Sequence, residues 1–315
     1  TYYRAFTDNQ IVTTTIPAPT GYTSITLNSG QIENKGVEIA VTATPIERGN
    51  FSWDLGLNFS RNRSLVKSLP ENIESVSLAS FSAVSSLNIV GQPYGILSGT
   101  RYRRNDEGKL VIGSDGWPLI DNTQGPVGDP NPDWLAGVRN TLNYKTLSFS
   151  FLWDIREGGD LWNGTKAVLD YLGVSKESGD DRNVTGYVYD GVTESGEVNT
   201  VPVDFANPAQ GLSGIKWRKA GTLLGLAEDN IEDGSWIRLR EVTLNYSLPR
   251  KWFGSGKVIS SVDLSLYGRN LILITDYKGV DPETNLRGAS NDQGWDYFNL
   301  PGTRTYGNSL KAVIK

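Results

Sequence analysis

The chain has 315 residues, with 35 Gly, 14 Pro, 9 Trp, 14 Tyr and 9 Phe, and it contains no Cys, His or Met. The lack of His and Cys excludes a Ser-His-Asp triad, a cysteine nucleophile, any disulfide, and zinc or cluster sites built on those ligands. A formal charge of −5 argues against a nucleic-acid partner, which needs a basic stripe.

No stretch reaches the eighteen or so apolar residues of a membrane helix. Mild average hydropathy with abundant Gly and aromatics suits two kinds of all-β protein, a soluble sandwich and a membrane barrel. No charged-then-apolar leader opens the chain, so any targeting signal is expected to have gone, and the missing Met is expected of a processed, excised or partial chain.

Read in order, the chain shows a first strand near Tyr2–Val12, then Val37, Ile39, Val41 and Ala43 on one face of a second. Phe51, Trp53, Leu55, Leu57 and Phe59 alternate with Ser52, Asp54, Gly56 and Asn58, a period of two over the length of a tilted membrane strand. Trp134 opens the next strand, and Leu147, Phe149, Phe151, Trp153 and Ile155 then oppose Ser148, Ser150 and Asp154. Trp236 opens a strand in which Val242, Leu244, Tyr246 and Leu248 share a face. Val262, Leu264 and Leu266 oppose Asp263, Ser265, Tyr267 and Arg269, and Tyr306, Leu310, Ala312 and Ile314 oppose Gly307, Ser309 and Lys311. That makes eight strands.

The connections sort into two lengths. Short ones are Pro45–Asn50, Lys145–Thr146 and Pro249–Lys257; long ones are Thr13–Gly36, Arg61–Asp133, Glu157–Ser235 and Asp276–Gly302. Strict alternation of long and short is the pattern of an outer-membrane barrel, with short periplasmic turns and long outer loops. Tyr94–Tyr102 and the Asp115-Gly116 hairpin between Lys109–Ile112 and Trp117–Ile120 read as structure inside the second long loop. Were they to span, the count would rise by two and the alternation would survive. Lys166–Leu172 reads as a short helix in the third.

Several motifs resemble the C-terminal part of the SusC/RagA family, the TonB-dependent outer-membrane transporters of Bacteroidota. They are Glu33–Glu38 (ENKGVE), Phe51–Arg61 (FSWDLGLNFSR), Gly128–Trp134 (GDPNPDW), Tyr144-Lys145, Ser235–Pro249 (SWIRLREVTLNYSLP), Gly268–Leu271 (GRNL), Gly279–Glu283 (GVDPE) and Pro301–Gly307 (PGTRTYG). Their order is the family's, and their joint occurrence is specific. The resemblance implies an all-β fold: a transmembrane antiparallel barrel segment, about the last eight strands of a plugged 22-strand barrel, with long extracellular loops. Residues 1–315 would then be the C-terminal barrel part of a receptor, without its plug domain and N-terminal strands. The chain departs from the usual barrel ending on an aromatic residue, since Ile314 and Lys315 stand there.

The carboxylate pairs Asp129/Asp133, Asp180/Asp181 and Glu232/Asp233 sit in turn-rich stretches and read as turn or solvated groups, not as a glycosidase pair. No EF-hand spacing supports calcium, and no cofactor or catalysis is expected. In GDPNPDW the prolines and aspartates build a rigid strand entry, with Trp134 at the membrane edge and Trp236 expected to match it. Arg238, Arg240 and Arg269 should point away from lipid; Glu241 beside Arg240 requires a strand end or a bulge. The loop aromatics Trp162, Trp217, Trp295, Tyr297 and Phe298 lack an obvious core of their own and are the candidates for substrate contact, with packing of loop on loop or against a partner protein as the other reading.

The resemblance implies active import of oligosaccharides or peptides across the bacterial outer membrane. Its implied partners are a SusD-like surface lipoprotein as lid, with Glu157–Ser235 and Asp276–Gly302 meeting it, and TonB through the missing N-terminal part. A non-transporting surface β-protein for adhesion or scaffolding is the alternative.

Overall fold

A computed structural model describes residues 1–9, 11–15, 24–28, 30–71, 73–207, 215–219, 223–252 and 258–314. Eight strands form one antiparallel sheet in chain order: β1 (Tyr2–Asp8), β2 (Gln31–Arg48), β3 (Phe51–Ser68), β4 (Trp134–Tyr144), β5 (Leu147–Glu157), β6 (Trp236–Ser247), β7 (Ile259–Ile274) and β8 (Thr305–Ile314). Among the described residues β1 and β8 are not paired with each other, so the sheet is open at both edges. No described helix is long and apolar enough to cross a membrane.

The register sorts side chains as the alternation requires. Ile39 faces Phe59, Val41 faces Leu57, and Leu142 stands between Trp53 and Phe149, making one continuous apolar face. Ser148 and Ser150 oppose Asn245 and Thr243 on the other, polar face. Many of the apolar side chains stay exposed, among them Ile39, Val41, Leu57, Leu244, Leu264 and Leu310. A soluble sandwich would cover such a face with a second sheet; here the same face is left bare, as lipid contact demands. A polar group on it is satisfied within the sheet, for Trp53 Nε1 donates to Asn140 Oδ1 at 3.0 Å.

All short connections lie at one end. Arg48 pairs with Phe51 across Gly49–Asn50, and Tyr144 pairs with Leu147 across Lys145–Thr146. Gly49 (φ 60°) and Lys145 (φ 53°) take the left-handed conformation that two-residue hairpin turns need. The first turn is thus shorter than the expected Pro45–Asn50. Thr44 and Pro45 instead form a bulge inside β2, where a residue without an N–H is tolerated. The third connection, Pro249–Lys257, falls partly outside the described residues.

At the other end the strands outrun the expected loop boundaries. β2 begins at Gln31 and β3 continues to Ser68, well past Arg61. β1 stops at Asp8, and a separate hairpin pairs Ile11–Thr15 with Ser24–Asn28. The pieces read within the second long loop stay out of the main sheet. Ile96–Gly99 joins a four-stranded sheet with 75–81, 84–89 and 125–128, and Gly113 N–H donates to Trp117 O to close the Asp115-Gly116 hairpin.

Three long connections fold into one cap. Ala79, Val84 and Leu97 from the first, Trp162, Val168, Leu224 and Ala227 from the second, and Trp295 from the third share a core. Helix α1 (Gly164–Leu172) packs here. Asn163 Oδ1 accepts from Lys166 N–H at its start, and Gly173 (φ 73°) closes its end. A short α2 (Lys176–Asp181) follows.

Candidate functional site: the strand–cap junction and the loop aromatics

The polar face and the cap meet at a bulge. Between β5 and β6 the pairing steps from Leu152–Glu241 to Trp153–Leu239, and between β6 and β7 it steps from Leu239–Ile272 to Glu241–Arg269. Arg240 is the extra residue against β5, whereas against β7 it stands opposite two residues, Asn270 and Leu271. The bulge reverses the alternation, so Ile237 and Leu239 continue the apolar face while Trp236, Arg238 and Glu241 share the polar one. The expected match between Trp236 and Trp134 therefore fails. Trp134 stacks on Phe59 at 6.0 Å on the apolar face, but Trp236 is buried on the other, with the guanidiniums of Arg238 and Arg240 at 5.5 and 5.3 Å from its ring centre.

Each arginine finds carboxylates of the wall and cap. Arg238, only 3% exposed, donates to Asp281 Oδ1 at 2.6 Å. Its Nε lies 3.0 Å from Glu283 Oε2, off the hydrogen-bond line. Arg240 makes two bonds to Glu283, at 2.9 and 2.7 Å, and reaches Asp154 at 2.7 Å. Arg269 pairs with Glu241 at 3.1 Å. Two of the quoted motifs, SWIRLREVTLNYSLP and GVDPE, are thus halves of one ionic junction tying the wall to the cap. Bidentate Arg–carboxylate geometry makes such a junction stiff.

The other singled-out carboxylates have structural partners as well. Asp129 Oδ1 accepts from Asn131 N–H at 3.0 Å, and Asp133 pairs with Arg63. Asp180 pairs with Lys176 and Asp181 with Lys216, at 2.8 and 3.0 Å. Glu232 Oε2 accepts from Lys278 N–H, and Asp233 caps the turn at Ser235. No metal-holding group of His, Cys, Asp and Glu occurs among the described residues.

The loop aromatics divide. Trp162 and Trp295 pair in parallel strands and are fully buried, which corrects the expectation that these rings lack a core. Their own packing, with Phe81 and Tyr297 against them, is that core, and no ligand reaches them in this arrangement. Phe298 is 55% exposed and Tyr297 half-buried, the two rings meeting edge to face at 4.9 Å. Trp217 is half-buried beside a recess lined by Tyr102, Trp117, Tyr189 and Asp229, with the Lys166 and Lys216 ammoniums 4.9 and 4.4 Å from its ring. Burial pushes the Asp229 carboxyl above the ordinary range, although Tyr102 O–H donates to it at 2.8 Å. Burial pulls Lys166 down, but the hydrogen bond to Asp170 and nearby carboxylates outweigh it and leave its pKa raised.

Sequence reasoning missed a groove of about 720 Å³ between α1, α2 and residues 278–280, lined by Leu169, Val174, Lys166, Glu177, Lys278 and Val280. Leu172, Val174 and Val280 leave apolar surface exposed around it. The polar sheet face carries its own trough of about 700 Å³, lined by Glu38, Asn58, Ser60, Leu152 and Asp154.

No protein-family model matches the chain. TonB-dependent receptor P3 of Formosa agariphila is 27% identical over 333 residues, 97% of this chain and 31% of its own length. TonB-dependent receptor SusC of Bacteroides thetaiotaomicron is 24% identical over 90% of this chain and 27% of its own length. The solved structure of the RagAB peptide transporter matches with a TM-score of 0.66 and 18% identity, covering 98% of this chain and 32% of that one. The chain therefore spans about a third of the length of the curated relatives it matches.

Proposed function

From a chain that is a segment of the outer-membrane β-barrel of a SusC/RagA-family TonB-dependent receptor, we propose that the whole receptor imports oligosaccharides or peptides, driven through TonB and lidded by a SusD-like lipoprotein. The rest of the receptor supplies the strands that close the sheet and a plug that fills the trough on its polar face. Closure is a physical necessity in this reading, because an open sheet in lipid leaves backbone groups unpaired.

The observation that carries the proposal is the cap. Three connections converge on a shared core at one end of the wall, and an ionic junction fixes that cap to the wall. Loops with their own core present a shaped surface, as a substrate chamber requires and a pore rim does not. Trp217, Tyr297 and Phe298 are the rings available for stacking on sugars or packing against peptide side chains, while Trp162 and Trp295 support Tyr297 from beneath. The apolar surface of Leu172, Val174 and Val280 supports contact between the loops Glu157–Ser235 and Asp276–Gly302 and the lid. No chemical step is part of this role.

Cells carrying the receptor should take up a labelled oligosaccharide or peptide pool, and lose that uptake on deletion of the receptor or of TonB. Uptake that survives both deletions would refute import. Surface binding without uptake would favour the adhesion reading instead.

A further inference from the structure

The outward, apolar face changes character abruptly above Val37 and Phe59. In the next registers Arg61 stands beside Val37, and Arg4, Lys35 and Arg63 lie directly opposite one another across β1, β2 and β3. Lys67 follows higher on β3. Like charges placed directly opposite destabilise a sheet, so an in-line trio of cations is an arrangement that fold stability alone disfavours. Two carboxylates answer the five cations: Glu33 lies near Arg4 and Lys67, at 2.8 and 3.8 Å, and Asp133 pairs with Arg63. Lys35 and Arg61 are exposed, and neither makes an ion pair or side-chain hydrogen bond among the described residues. Strands β4 and β5 present Trp134 and Glu157 at this end, so the cations are concentrated on the first three strands.

We propose that this face binds the phosphate groups of an anionic lipid in the outer leaflet. The proposal rests on the outer-membrane reading, because the apolar run from Phe51 to Phe59 sets the hydrocarbon level and the trio begins where headgroups lie. Trp134 stacked on Phe59 marks the same boundary with an amphipathic ring. Guanidiniums match phosphate oxygens two at a time, and Lys35 adds a point charge between two of them. The bound phosphates supply the countercharge that the row otherwise lacks.

The test uses the purified full-length receptor in native mass spectrometry, with diphosphorylated lipid A as probe beside the same lipid with its phosphates removed. Wild type should retain the phosphorylated lipid selectively. Lys35→Gln/Arg61→Gln/Arg63→Gln should weaken retention on the order of a hundredfold. Equal retention of the two lipids by wild type, or unchanged retention by the variant, would overturn the proposal. So would displacement of the lipid by equimolar inorganic phosphate, which would make this a free-anion site. Heat-resistant migration shows whether the triple variant has folded. If it has not, Lys35→Gln and the wild-type lipid comparison decide. Membrane fractionation tests the outer-membrane reading separately, so the two failures are distinguishable.

Discussion

Replacing Trp295 with Ala should open the cap while leaving the wall intact. The indole is fully buried, pairs in register with Trp162, and lies 6.4 Å from Phe81. Its Nε1 has no hydrogen-bond partner among the described residues, so the substitution forfeits packing alone. A buried Trp carries roughly 150–250 Å² of surface, which at about 25 cal/mol per Å² gives about 4–6 kcal/mol. Truncations of buried Phe and Trp cost about 3–5 kcal/mol, below the area figure because surrounding groups relax. Hydrogen exchange on the full-length receptor should show protection in 160–163 and 276–302 falling by roughly two to three orders of magnitude. Heat-resistant migration of the barrel should not change. Trp295→Phe, which also removes the unpaired donor, should cost about 1–2 kcal/mol. Unchanged protection in Trp295→Ala would mean that the loops are not held by a shared core, and lost substrate binding with unchanged protection would restore Trp295 to the ligand site.

Leu55→Arg, on the apolar face near the middle of its run, should cost roughly 2–4 kcal/mol and impair barrel assembly, whereas Thr42→Arg on the polar face should cost no more than about 0.5 kcal/mol. The reverse order in a heat-migration assay would invert the face assignment. Arg238→Gln strands the buried Asp281 and should loosen residues 276–284 by about 3–5 kcal/mol; adding Asp281→Asn should restore much of that, and additive losses would refute the coupling. Gly36→Ala would bring a Cβ within 2.4 Å of Arg61 O, so it should destabilise the first hairpin, while Gly137→Ala, with nothing within 4 Å, should be silent. Asp229 should titrate above the ordinary Asp value near 4. The folded state then holds its proton to higher pH than the unfolded state, so its contribution is full at low pH and is lost as pH rises through the raised value. Asp229→Asn should flatten that decline in cap protection, and a carboxyl carbon shift with its midpoint at or below the ordinary value would refute it.

Much of the wall was legible because its information is local. A strand's two faces are written into neighbouring residues, so Phe51–Phe59 and Leu147–Ile155 declared their apolar faces unaided. The alternation of short and long connections then followed from counting, and a helix is expected at Lys166–Leu172, where the structure has Gly164–Leu172 capped by Asn163 and Gly173. Local reading erred where one residue shifts the phase. Trp236 shares parity with Val242 and Leu244, and that parity is broken by Arg240, the residue left over against β5. The clue was the adjacency of Arg240 and Glu241, two charges that strict alternation cannot place on one face.

Sequence by itself therefore determined the number of wall strands, the apolar face and the end that carries the long loops, because each depends on spacing within a dozen residues, but not the strand ends there, since β3 runs on to Ser68. Tertiary structure alone decided what the loops are. Ala79, Leu97, Trp162, Leu224 and Trp295 come from three connections, and no periodicity links residues that far apart. A hydrophobic core is non-directional, rewarding area removed from water whatever its position in the chain. Rings that stand alone in the sequence can thus be the floor of a cap, and only the folded chain separates Trp295, which nothing reaches, from Phe298, which faces out.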